Sequence, residues 1–184
     1  MILSAGSGGP CWCMAAGPKG AADLLIRPFR EADRPALYDI TAHSFKDASI
    51  HGRLEDLYGE INGTTWSERK AREIDQDILT EPEGVLVAEE QGRVVGYVTT
   101  TTDEFSSIGR IPNLAVAPDF QGRGLGKQLI NAALDRFRAR GMQYAKIETL
   151  ATNQAGQALY PKAGFQELVR QIHYIMRMED ARRL

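Results

Sequence analysis

Strands and helices alternate along this chain in an order that predicts a mixed α/β domain, a central sheet with helices on both faces. Three observations carry that prediction. The 184 residues, 43% hydrophobic and 25% charged, suit one soluble domain with a proper core. Hairpin patterns stand at both ends of the strand series. Between them, a glycine-rich turn feeds a long amphipathic helix.

Leu25 to Phe29 reads as a first strand running into a helix, with Asp33 as its N-cap, Pro35 in its first turn, and Leu37 and Ile40 inward. His51 to Glu83 is a second helical region, broken by Gly59 and Gly63. Thr65 and Glu68 resemble a capping box for the piece that carries Ala71, Ile74 and Ile78. Val85–Glu89 and Arg93–Thr102 flank Gln91-Gly92 as an antiparallel hairpin, and Ile108–Ala117 is the next strand. Leu125, Leu129, Ala133, Leu134 and Phe137 recur at helical spacing until Gly141 ends the helix. Ala145–Leu150 reads as a strand and Asn153 as the cap of a helix that Gly164 stops, with Ala155, Ala158 and Leu159 on one face. Phe165–Val169 and the alternating Ile172, Tyr174, Met176 and Met178 are expected to close the sheet.

Residues 1–22 differ in kind, being rich in glycine, alanine, serine and proline without sustained periodicity, and read as a flexible extension. They lack the basic start and long apolar stretch of a secretory signal, so the cytoplasm is the default compartment. Cys11 and Cys13 cannot complete a four-ligand zinc site, so no metal is expected. A net charge of −2 gives no reason to propose nucleic acid, and no apolar run approaches a membrane span.

The chemistry concentrates between Asn113 and Lys127. A short apolar strand, Leu114-Ala115-Val116, precedes Gln121-Gly122-Arg123-Gly124-Leu125-Gly126-Lys127 at a helix start. Backbone N–H groups there have no partner within the helix, and glycine lets a phosphate or pyrophosphate approach them. A nucleoside-triphosphate loop fails on spacing, since Gln121 stands where its first glycine belongs and Gln128 where its Ser/Thr belongs. A dinucleotide loop fails because Lys127 takes the place of its third glycine.

The remaining pattern, Gln-x-x-Gly-x-Gly, resembles the acetyl-coenzyme-A loop of the GNAT N-acetyltransferase superfamily. Asn153 to Phe165 is similar to the superfamily's N-x-x-A-x-x-L-Y-x-x-x-G-F segment, and the opening strand and helix also fit. The resemblance runs from Leu24 to Met178, within a domain taken as 23–179 that leaves 180–184 as a short tail. It implies a single-domain GNAT fold around a mostly antiparallel, twisted sheet. It also implies transfer of acetyl from acetyl-CoA directly to the primary amine of a small-molecule or peptide acceptor, and it allows a homodimer. By the same resemblance, the backbone of Leu114, Ala115 and Val116 would pair with pantetheine, with an N–H near Val116 polarising the thioester. Gln121 to Lys127 would hold the pyrophosphate, Asn153 would contact pantetheine, and Tyr160 would protonate the leaving thiolate.

Two departures stand out. Pro161 is expected to remove a helix hydrogen bond and bias Tyr160 away from helical geometry. The strand position that holds a glutamate base in some members is Arg110, which cannot accept a proton. Both would suit an alternative, a non-catalytic acyl-CoA-binding or regulatory protein of the same fold. Asp103, Glu104, Glu148, His43 and His51, or a water chain held by backbone carbonyls, are the candidate substitutes, with Glu148 the first to test and no base assigned. Finally, Arg53–Glu83 holds nine acids against four bases, a net of −5; by the same resemblance this region would wall the acceptor cleft and draw a cationic amine, the alternative being a solvated acidic helix face.

Overall fold

The computed structural model describes residues 24–182; the expectations for residues 1–22, with Cys11 and Cys13, lie outside that range. The elements are β1 (Leu24–Pro28), α1 (Arg34–Ser44), α2 (Ile50–Tyr58), α3 (Trp66–Thr80), β2 (Val85–Glu90), β3 (Arg93–Asp103), β4 (Ile108–Val116), α4 (Leu125–Ala139), β5 (Tyr144–Ile147) and α5 (Gln154–Lys162). The sheet order is β1-β2-β3-β4-β5. All neighbours are antiparallel except β4 and β5, which run parallel because α4 crosses between them. Mixed α/β architecture therefore holds.

Each face of the sheet has its own core. Leu37 and Ile40 of α1 and Ile74 and Ile78 of α3 pack on Val85, Val87, Tyr97 and Ala115. Leu125, Leu129, Ala133 and Phe137 of α4 pack on Ala88, Val95, Val98 and Ile111 from the other side. The capping box at Thr65 and Glu68 forms as expected. Gly59, Gly63 and Gly141 all have positive φ at the expected breaks. Asp33 departs from expectation: its carboxylate does not cap α1 but accepts from the Arg27 guanidinium and the Arg30 N–H. A guanidinium reaching over from β1 offers the same oxygens two charge-assisted bonds, which outcompete a helix N–H.

A bulge divides the residues of β4 between the two cores. Thr99 pairs with Asn113 but Thr101 pairs with Arg110, so β4 holds one extra residue around Ile111-Pro112. Strand alternation would otherwise keep residues 111, 113 and 115 on one face. Instead Ile111 joins the α4 core while Ala115 joins the α1/α3 core. Proline is tolerated there because a bulge leaves a residue out of the ladder.

The C-terminal expectation fails. Neither Phe165–Val169 nor Ile172–Met178 forms a strand, and β5 is only four residues long. Leu168, Val169, Ile172, Tyr174, Met176 and Met178 are exposed. Alternation prepares a segment to cover a surface, but a strand exists only where an edge pairs with it.

Candidate active site

The β4–β5 ladder ends at the pair Ile111 and Ile147. Beyond it the strands diverge, and Pro112 to Val116 is left with β3 on one side and an open wedge on the other. The Ala117 N–H donates to Val95 O on the β3 side. Alternation along the strand therefore turns the N–H groups of Leu114 and Val116 toward the wedge. The Val116 carbonyl is already engaged, accepting from Gln121 Nε2 at 3.0 Å and Ser44 Oγ at 3.3 Å.

The glycine turn lies at the wedge's end. Gln121 to Gly124 are exposed, and Gly122 and Gly124 adopt φ of 75° and 82°. These angles strain any residue with a Cβ, and nothing lies within 4 Å of where a Cβ would stand. Side chains cap α2 (Ser49), α3 (Thr65) and α5 (Asn153), but no side chain caps α4. Its first N–H groups are thus available to an anion. The Arg123 guanidinium is tied to Glu90 at 2.6 Å and lies over the Phe120 ring, so this residue presents its backbone to the turn. Leu125 is buried, Gly126 lies against Leu159 of α5, and Lys127 is exposed. A coenzyme A pyrophosphate fits this arrangement.

The opposite wall is α5. Asn153 caps it through Oδ1, which accepts from the Gly156 N–H at 3.1 Å, while Asn153 Nδ2 donates to Thr149 Oγ1 at 2.8 Å. The helix runs through Pro161 to Lys162, so the expected disruption at Tyr160 does not occur. Near a C-terminus, proline forfeits only the donor to Gln157 O and its ring is accommodated. Ala155 and Ala158 are exposed; Gly156, Leu159 and Tyr160 form the inward side. The Tyr160 ring meets Phe165 edge-on at 6.3 Å. Burial raises its phenol above the ordinary tyrosine range, partly offset by the Thr149 hydroxyl. The group therefore stays protonated at neutral pH.

The end of α1 and the linker that follows it bridge the two walls. His43, Ser44 and Lys46 to Ala48 face Thr152 to Gln154 across a cleft of about 210 Å³. Thr152 Oγ1 donates to Asp47 O at 3.4 Å. Among the substitute bases, Asp103 accepts from Phe105 N, Ser106 N and Ser106 Oγ, bonds that hold its carboxyl below the usual range. Glu104 faces Arg140, and His51 bonds Glu73. Glu148 lies directly after β5, exposed and paired with Lys146 at 2.8 Å. His43 lines the cleft, with Nδ1 on Asp39 O.

The acidic stretch is not a bare wall. Arg34 pairs with Asp75, Arg136 with Glu81 and Glu83, Arg69 with Glu55, and Lys70 with Glu73. Asp77 instead accepts from Thr99 Oγ1 and Asn113 Nδ2, both at 2.7 Å, and Asn113 Oδ1 is buried without a protein partner. Two cations from distant segments, Arg34 and Arg136, offset part of the net −5. Thr149, Gly156 and the Asp77–Asn113 pair escaped the sequence reading, because each acquires its role only from a neighbour in another element.

Residues 51–165 match the family model described as the acetyltransferase (GNAT) family. The chain belongs to the GNAT acetyltransferase family. Members of this family use acetyl-CoA as acetyl donor. A mycothiol acetyltransferase of Stackebrandtia nassauensis is 31% identical over 148 residues, 73% of this chain and 47% of that protein. The one from Streptomyces coelicolor is 33% identical over 85 residues, 46% of this chain and 28% of its own. The chain thus spans under half the length of these relatives. A putative ribosomal-protein-bS18-alanine N-acetyltransferase of Bacillus subtilis is 26% identical over 164 residues, covering 85% and 90%. In fold, the Escherichia coli ribosomal-protein-S18-alanine N-acetyltransferase matches with a TM-score of 0.59 at 23% identity, over 80% of each chain. An aminoglycoside N-acetyltransferase solved with coenzyme A matches at 0.60 and 17%, over 87% of this chain and 99% of that one. Among the described residues, no helix is long and apolar enough to cross a membrane.

Proposed function

We propose that this GNAT chain transfers acetyl from acetyl-CoA directly to a primary amine at the β4–β5 wedge. The observation that carries the reading is the uncapped, glycine-led start of α4 beside the unpaired edge of β4. Acetyl-CoA, when bound, supplies the acetyl group as a thioester. The N–H groups from Gly122 to Lys127, with Gln121 closing the turn, would hold the pyrophosphate. The wedge-facing groups of Leu114 and Val116, flanking Ala115, would pair with the pantetheine arm, and the Val116 N–H would polarise the acyl carbonyl. Asn153 would steady the arm from the α5 side.

As the N–C bond forms and the C–S bond breaks, the amine loses one proton and the sulfur gains one. Glu148, just past the last β4–β5 pair, is the proposed acceptor of the first. Tyr160 Oη donates the second, and its proton returns through solvent exchange. The relatives are named for mycothiol, for the alanine of a ribosomal protein and for aminoglycosides, so the acceptor class rests on a screen.

The test is a comparison of acetyl-CoA, NAD and ATP by thermal shift, then thiol release with an amine panel. Acetyl-CoA alone should raise Tm, and Gly124→Val should abolish that rise while the protein remains folded. A folded Gly124→Val protein that binds acetyl-CoA normally would overturn the assignment of the loop. In Glu148→Gln, kcat/KM should fall while acetyl-CoA still raises Tm.

A further inference from the structure

The hydrogen bonds of β4 reverse direction partway along the strand. Just before it, Ser107 O accepts from Tyr144 N at 3.2 Å, so the odd-numbered residues turn toward β5, and the ladder runs on in that register to Ile111 and Ile147. Beyond Pro112 the odd-numbered residues turn the other way. Asn113 N donates to Thr99 Oγ1 at 3.0 Å and Ala117 N to Val95 O at 2.9 Å, both on β3. The side chains reverse with them. Gly109 lies against the Phe137 ring and Ile111 joins the α4 core, whereas Asn113 meets Asp77 of α3. The extra residue of the bulge thus takes Asn113, which would next have paired with β5, and turns it to β3.

What holds Asn113 in the reversed position is one oxygen of Asp77. Its Oδ2 accepts from Asn113 Nδ2 and from Thr99 Oγ1, both at 2.7 Å. The Thr99 hydroxyl, its proton directed to Asp77, keeps a lone pair for the Asn113 N–H. A single carboxylate therefore grips residue 113 twice, through its side chain and, by way of Thr99, through its backbone. Thr99 is fully buried and Asn113 nearly so, which shields these bonds from water. A half-buried carboxylate is a costly clamp for a strand that apolar contacts could hold, and such departures from the most stable local choice gather at functional sites.

We propose that Asp77 is the positioning residue of the wedge: by holding Asn113 turned to β3, it keeps β4 from pairing with β5 past Ile111 and leaves the N–H groups of Leu114 and Val116 open to the pantetheine arm. This rests on the reading of the wedge as the acetyl-CoA site. Asp77 acts only through Thr99 and Asn113, without touching the cofactor. Without the clamp, the bulge is free to migrate toward Val116. Continued at the offset of Ser107 and Tyr144, the ladder would then join Leu150 N–H to Asn113 O and close the wedge from its apex.

The experiment compares Asp77→Leu, Asp77→Asn, Thr99→Val and Thr99→Ser by acetyl-CoA calorimetry and, without cofactor, by amide hydrogen exchange resolved by NMR. Asp77→Leu and Thr99→Val each break the clamp, and Thr99→Val, close to threonine in shape, serves if Asp77→Leu does not fold. Both should weaken acetyl-CoA binding by about tenfold or more, the size of a lost hydrogen bond to a charged group. In both, the Leu150 amide should exchange more slowly than in the wild-type protein, because it gains a partner. Asp77→Asn keeps an accepting oxygen and Thr99→Ser keeps the hydroxyl, so both should bind and exchange as the wild type does. General loosening of the fold would instead speed exchange, and faster exchange at Leu150 in the clamp variants would reduce Asp77 to plain structural support. Unchanged acetyl-CoA affinity in folded Thr99→Val would likewise overturn the proposal while leaving the cofactor site standing. A wild-type protein that binds no acetyl-CoA would sink the reading of the site, and the exchange of Leu150 would still show whether Asp77 holds the strands apart.

Discussion

The two walls of the wedge are built on opposite principles. The β4–α4 wall is fixed by apolar burial: Leu125, Leu129, Ile130, Ala133 and Phe137 of α4 are buried, as are Ile111 and Ala115 of β4. The β5–α5 wall has no buried residue in its strand, and in its helix only Gly156. It is held by hydrogen bonds among Asn153, Thr149 and Gly156 and by the Tyr160–Phe165 contact. The difference separates two tasks. The wall that would carry the phosphates needs only a rigid backbone, which a packed core supplies. The wall that would meet the sulfur needs one side chain aimed, which directional bonds supply and packing does not. Damage to the first should therefore appear as lost stability, and damage to the second as lost turnover.

The largest effect is expected at Leu129. It is fully buried against β2 and β3 residues of the α4 core, and Leu129→Ala should cost about 2–5 kcal/mol in urea unfolding, the range for a leucine cavity. The half-buried Leu159 on α5 is the control, and its alanine variant should cost clearly less. Equal losses at the two sites would erase the contrast between the walls.

Asn153 ranks next. Its Oδ1 caps α5 and its Nδ2 holds Thr149, so Asn153→Ala removes both bonds at once. The loss of the cap should lower stability by about 1 kcal/mol. Asn153→Asp keeps the capping oxygen but cannot donate to Thr149. It should restore most of the stability lost in Asn153→Ala, and an equal loss in the two variants would show that the bond to Thr149, not the cap, holds α5.

The same division explains what could be read in the sequence. The α4 wall was legible because periodic leucines, a left-handed glycine turn and a stop at Gly141 are local signals. The capping residues Thr65 and Asn153 were legible for the same reason. The paired acids in and just after α3 were not, since a count over Arg53–Glu83 includes neither Arg34 nor Arg136, which arrive from α1 and α4. The alternation of Ile172, Tyr174, Met176 and Met178 was legible, yet the strand it suggested is absent, because period two specifies sides and not a partner. Thr149 carries no sequence signal at all: its bond to Asn153 depends on where the first turn of α5 places that residue.

One polar feature interrupts the apolar wall, and it yields the smallest and most pointed effect. Asp77 of α3 reaches β3 and β4, accepting from Thr99 and Asn113. Burial raises its carboxyl above the ordinary aspartate range, against the opposing pull of those two bonds. The folded state thus favours the protonated acid more than the unfolded chain does. The resulting stabilisation is complete below the unfolded pKa and is lost as pH rises through the folded one. At neutral pH the ionised carboxylate is a net burden on the fold. Asp77→Asn keeps an oxygen for Thr99 and Asn113 and carries no charge, so it should raise Tm slightly at pH 7, with the gain shrinking as the pH is lowered toward about 4, near the unfolded value. A lower Tm for Asp77→Asn at pH 7 would mean that the two hydrogen bonds to the charged oxygen outweigh its desolvation. The β4 wall would then depend on directional polar contacts as the α5 wall does.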